Sequence, residues 1–219
     1  TSIAGGAFFL AFDNSEFNFK SIIFTDCTAG TDAGAIAFDS QNHDVRFESS
    51  IFTSCRAKSG DGGAILFSSQ NRDFSFVSSN FMDCSAAEGY GGTGDGGALA
   101  LKDGNSNINF ESSTFTSCRC SGNGGAISFG EKTNSAVTVG HVYYSFKSMT
   151  FARCSAMGNG GVLYFNSAKS NVSFESSTFT DCKAQNGGAL YFRQDNSNIS
   201  FESSTFTNCN VHDNGGALY

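Results

Sequence analysis

The sequence predicts an all-β chain wound as a right-handed parallel β-helix, with three short strands per coil and about seven coils. Three observations carry that expectation. A nine-residue block, Phe-x-Ser-x-x-Phe-x-x-Cys, occurs seven times without a spacing error. A Gly-Gly-Ala-aliphatic tetrapeptide such as Gly62–Ile65 alternates with it, and successive copies lie 27 to 36 residues apart, the period of a stacked repeat array. Within each unit the apolar residues alternate with period two rather than 3.6, as in a strand with one buried face.

The unit opens on a turn. The residue before the glycine pair is an acid or amide in the later units (Asp32, Asp61, Asp95, Asn123, Asn159, Asn186, Asn214). Asx side chains bond nearby backbone and Gly tolerates positive φ. A first strand follows, with inward pairs such as Ile65 and Phe67. The second strand carries pairs such as Ile108 and Phe110 and ends on the first Phe of the block: Phe19, Phe47, Phe76, Phe110, Phe146, Phe174 and Phe201. After a Ser-rich corner, the third holds Phe24, Phe52, Phe81, Phe115, Phe151, Phe179 and Phe206. A single coil cannot bury these rings alone, but stacking at the ~4.8 Å strand spacing can, and like residues then fall on like.

Composition agrees. The chain has 24 Phe, no Trp and no Pro; a repeated slot accepts one aromatic shape, and proline cannot donate to a strand ladder. Residues 1–219 read as one repeat domain because the pattern never breaks. The chain starts and stops inside a unit, which suggests a segment of a longer repeat protein or ends that mate head to tail with identical copies, giving a filament. A net charge of −7 and a pI near 4.8 argue against nucleic acid and anionic lipid. No apolar run is long enough to suggest membrane insertion.

Seven of the eight cysteines fill one slot: Cys27, Cys55, Cys84, Cys118, Cys154, Cys182 and Cys209, with Cys120 apart. Without a Cys-x-x-Cys pair, and with three scattered histidines, the pattern argues against zinc. A buried, reduced thiol ladder is expected, with rung-to-rung disulfides the alternative. No cofactor is expected. Gly92–Gly96 contains a Gly-Asp pattern, but it does not recur at the nine-residue calcium-binding period, so turn chemistry accounts for it better than calcium.

Candidate sites lie on the outer wall. Two sequons, beginning at Asn171 and Asn198, occupy one slot in adjacent units, outward and three residues before an inward Phe; both are expected to carry N-linked glycan in a eukaryotic secretory route. An outward stripe (Lys20, Glu48, Val77, Glu111, Lys147, Glu175, Glu202) places Glu175 and Glu202 one rung apart. That is near the ~5 Å separation of a retaining glycosidase pair, although an exposed column with Lys147 beside Glu175 is the simpler reading. Two variable loops, 86–95 with Tyr90 and 130–144 with Tyr143 and Tyr144, are candidate binding loops.

The tandem Gly-Gly-Ala-Ile/Leu tetrapeptides and Phe-x-x-Cys blocks resemble the repeats of the chlamydial polymorphic outer-membrane proteins and of related protist surface proteins. The family's second motif is Phe-x-x-Asn; here it is Phe-x-x-Cys all seven times. The resemblance implies a secreted β-helical stalk at the cell surface, often adhesive, and supplies no catalytic residues. The expected role is therefore a non-enzymatic, extracellular or cell-surface structural rod, able to assemble end to end. The alternatives are an adhesin stalk engaging a glycan or cell-surface partner through its loops, and a polysaccharide lyase or hydrolase.

Overall fold

The computed structural model describes residues 5–87, 92–130, 143–166, 170–194 and 196–219. Four parallel sheets of seven strands each run the length of the molecule, and every sheet takes one strand from each coil in sequence order. The chain is therefore a parallel β-helix of about seven coils. One coil runs Ile65–Ser69, Arg72–Val77, Asn80–Met82 and Ser85–Ala86. The fourth strand corrects the expected three. It is two residues long, too short to show an alternation in sequence, and it begins immediately after the cysteine.

The corners explain why the nine-residue block has fixed spacing. Ser49, Ser78, Ser112 and their equivalents have φ between 50° and 55°, as do Ser54, Asp83 and Ser117 five residues on. A single left-handed residue turns the chain and resets the pleat, so the next residue points inward. Two such corners in nine residues place residues such as Phe47, Ser50, Phe52 and Cys55 on one interior and leave no room for an insertion. For non-glycine residues this conformation costs about 1 kcal/mol or more each, so the interior must compensate.

It does so by stacking. Phe19, Phe47, Phe76, Phe110, Phe146, Phe174 and Phe201 are register partners in the second sheet. Successive rings are 4.7–5.1 Å apart and within 10° of parallel. The ladder of Phe24, Phe52, Phe81, Phe115, Phe151, Phe179 and Phe206 stacks likewise in the third sheet. The two ladders meet edge to face, as in Phe76–Phe81 at 5.9 Å and 65°. These are the favoured aromatic geometries.

Polar ladders occupy the corners. Asn42 and Asn71 are fully buried, and Asn105 nearly so. The Asn42 amide nitrogen donates to Asn71 Oδ1 at 3.0 Å, and Asn71 N–H donates to Asn105 Oδ1 at 2.9 Å. At the next corner Ser79 N–H donates to Ser113 Oγ, while Ser79 Oγ donates to the Val77 and Phe47 carbonyls. Buried polar groups need such partners.

Candidate functional site

Chemistry-bearing groups form columns on the wall. At the turn before the first sheet, Asp61 N–H donates to Asp32 Oδ1, Asp95 N–H to Asp61 Oδ1 and Asn123 N–H to Asp95 Oδ1, at 2.8, 2.8 and 2.6 Å. The relay continues through Asn159, Asn186 and Asn214. Gly60 and Gly122 precede their Asx because a Cβ at either would collide with the Asx carboxylate of the coil before. An Asx and backbone ladder thus runs along this turn, and its first three rungs are carboxylates.

Lys102 answers that charge. It projects from the coil beyond and places Nζ 2.9 Å from Asp61 Oδ2 and 3.8 Å from Asp32 Oδ1. Burial pulls its pKa down, but the Asp61, Asp32 and Asp95 carboxylates outweigh burial and hold it above the ordinary lysine value. Burial pushes the Asp95 carboxyl up, aided by Asp61 and opposed by the Asn123 hydrogen bonds. The sequence showed the aspartates; the lysine's reach across coils was not visible in it.

The cysteine slot is an interior ladder, and all eight cysteines are free. Cys55, Cys84, Cys118, Cys154 and Cys182 are fully buried, whereas Cys27 and Cys209 are partly exposed. The thiols of Cys84 and Cys118 donate to the Phe52 and Phe81 carbonyls at 3.6 Å. A hydrogen bond to Cys84 and then burial push the Cys55 thiol up; for Cys118 burial comes first and Cys154 second. A hydrogen bond from the Cys182 thiol lowers Cys209 to about 7. Cys120, which stands apart from that slot, lies in the fourth sheet between Ala86 and Ala156 and is buried with them.

Asn171 and Asn198 both have left-handed φ, 60° and 50°, and Asn198 Nδ2 donates to Asn171 Oδ1 at 3.1 Å. They extend a column already occupied by Asp44, Asp73 and Asn107. Glu175 and Glu202 are register partners on the exposed face of the second sheet, and Lys147 Nζ lies 3.6 Å from Glu175 Oε1.

The loop expectation is corrected for Tyr144. It begins a strand, occupies the inward slot between Ile108 and Val172, and is 2 % exposed. Its hydroxyl donates to the Asn105 carbonyl at 2.6 Å, which gives the asparagine corner a polar partner from the next coil. Tyr143 is 54 % exposed and borders a groove of about 350 Å³ with Asp73, Asn107, Asn109 and Ser145. Tyr90 and most of the 130–144 loop lie outside the described residues.

Among the described residues no group of three or more His, Cys, Asp or Glu side chains is arranged to hold a metal ion, and no helix is long and apolar enough to cross a membrane. Fold and wall together define a parallel β-helical repeat protein. Comparison with protein-family models, curated proteins and solved structures found no match to this chain.

Proposed function

We propose that this chain is a rigid structural rod of an extracellular or cell-surface protein, and that its outer wall, rather than an enclosed site, is the working part. The observation that carries this reading is the unbroken register along all four sheets, with unbroken phenylalanine ladders in the second and third. Such a ladder spends its side chains on stiffness, and each coil contacts only its neighbours. The first coil exposes Phe8, Phe9, Phe12 and Phe17 around a concavity of about 560 Å³. The last exposes Phe201, Leu218 and Tyr219. Each end face therefore accepts a further coil, whether of the same chain or of a second copy, and end-to-end growth into a fibre belongs to the proposal.

N-linked glycan at Asn171 and Asn198 fits a secreted rod, since both lie on the wall and not in the core. A second reading, adhesion, rests on exposed Tyr143 and its groove. Electron micrographs and light scattering of the purified chain test the first. Fibres or end-to-end oligomers in which each chain adds ~34 Å (seven coils at the strand spacing) support it; a monodisperse monomer with no fibres refutes the end-to-end assembly. Loss of cell or glycan binding on Tyr143→Ala would favour the second.

A further inference from the structure

The third sheet presents a wall unlike the others. Each strand has one inward Phe flanked by two outward residues, and none of the outward residues over seven rungs is charged. The adjoining second sheet instead turns out Lys20, Glu48, Glu111, Lys147, Glu175 and Glu202. On the last four rungs, Thr114–Thr116, Thr150–Ala152, Thr178–Thr180 and Thr205–Thr207, every outward residue except Ala152 is threonine. Among the described residues no other element packs on this face. Thr114 Oγ1 donates to Asn80 Oδ1 at 2.6 Å. Among the described residues, the other threonine hydroxyls on these rungs have no protein partner and face water.

The array is regular in two dimensions. Along the axis its repeat is that of the rings directly behind it: Phe81, Phe115, Phe151, Phe179 and Phe206 are spaced 4.6, 5.3, 4.9 and 4.6 Å, with planes turning by 20° or less per rung. Across the axis, alternate residues of a strand are about 6.6–6.8 Å apart. Side-chain ladders of this kind hold a sheet flat. Threonine is stiff at χ1 because it is β-branched, so hydroxyl and methyl groups sit in fixed rows with little left to order on binding.

We propose that this wall binds ice. Its two repeats are close to the oxygen repeats on a prism face of hexagonal ice, so water held by one row of hydroxyls, with the methyl groups filling the gaps between, sits where lattice water would sit. Charged groups would spoil this, because a compact ion organises its own hydration shell. Neutrality also argues against a charged polymer, and the face offers no aromatic platform for a sugar ring. The rod reading does not depend on this proposal.

The test is uptake of the 219-residue chain, labelled at its N-terminal amine, onto a growing single ice crystal. The chain is expected to coat the crystal and slow recrystallisation of a frozen film. Thr178→Lys with Thr180→Lys should reduce the ice-bound signal by about tenfold, while Glu202→Gln on the adjoining wall binds as the parent does. If the double variant fails to fold, judged by its circular dichroism, Thr180→Tyr gives a bulky, strand-favouring alternative with the same expected loss. Rejection of the parent chain from the ice front would overturn the proposal. So would equal uptake by the face variants, or an effect of those variants on self-association or polysaccharide binding with none on ice.

Discussion

Phe110 sits mid-ladder and is fully buried. It stacks between Phe76 and Phe146 at 5.0 and 5.1 Å and meets Phe115 edge to face at 6.1 Å. Phe110→Ala removes all three contacts and leaves a cavity that the flanking coils cannot close, because their rings are held by their own neighbours. The expected loss is about 3–5 kcal/mol, or a melting temperature lower by about 6–20 °C for a chain of this size. Phe201 occupies the same slot on the last rung, where it is 39 % exposed, stacks on Phe174 at 4.8 Å and meets Phe206 edge to face at 5.9 Å, with no ring beyond it. With burial already incomplete and water able to fill the site, Phe201→Ala should cost about 2 kcal/mol. Phe110→Leu should recover much of the loss, since the stacked slot of the first sheet already accepts Leu101 between Phe67 and Phe129. Equilibrium denaturation in guanidinium, followed by circular dichroism, measures all three. Equal losses at Phe110 and Phe201, or a Phe110→Ala loss below about 1 kcal/mol, would refute the stacking account.

Three further outcomes follow from the same geometry. Gly63→Ala should prevent folding or cost several kcal/mol, because its Cβ would meet the Gly97 carbonyl of the next coil and the Ser85 amide at the end of its own, whereas Gly30→Ala meets nothing within 4 Å and should change the unfolding free energy by less than about 0.5 kcal/mol. Lys102→Met should lower stability at pH 7 by about 1 kcal/mol, a figure discounted for its 35 % side-chain exposure. The folded chain raises the Lys102 pKa, so the parent's advantage holds below the ordinary lysine value of about 10.4 and disappears as pH climbs through the folded value; an advantage that grew above that range would contradict it. Iodoacetamide should alkylate Cys27 and Cys209 in the native chain and spare the five fully buried ladder thiols until denaturant is added, read by peptide mass spectrometry.

Much of this fold is legible in the residues because the repeat is short and its chemistry redundant. Phe47, Phe76 and Phe110 share one slot in sequence and one column in space. The Asx before each glycine pair could be read as a turn, and the glycines confirm it, since Gly62, Gly96 and Gly124 have φ near 68°. The asparagine corner was missed although Asn42, Asn71 and Asn105 each stand three residues before an inward apolar residue. A polar side chain in a loop looks solvated until the corner is seen to turn it inward. Tyr144 was misplaced for the related reason that an eight-residue insertion hid the period.

The amino-acid order alone determined the winding, the inward aromatics and the thiol column, because local alternation fixes which face of each strand is buried and identical coils can stack in only one register. Tertiary structure alone decided which unlike side chains meet across coils. It brought Lys102 to Asp32 and Asp61, placed the hydroxyl of Tyr144 under Asn105 and assembled the threonines of separate rungs into one uncharged wall. Those relations depend on corner geometry and axial rise, which no single repeat contains.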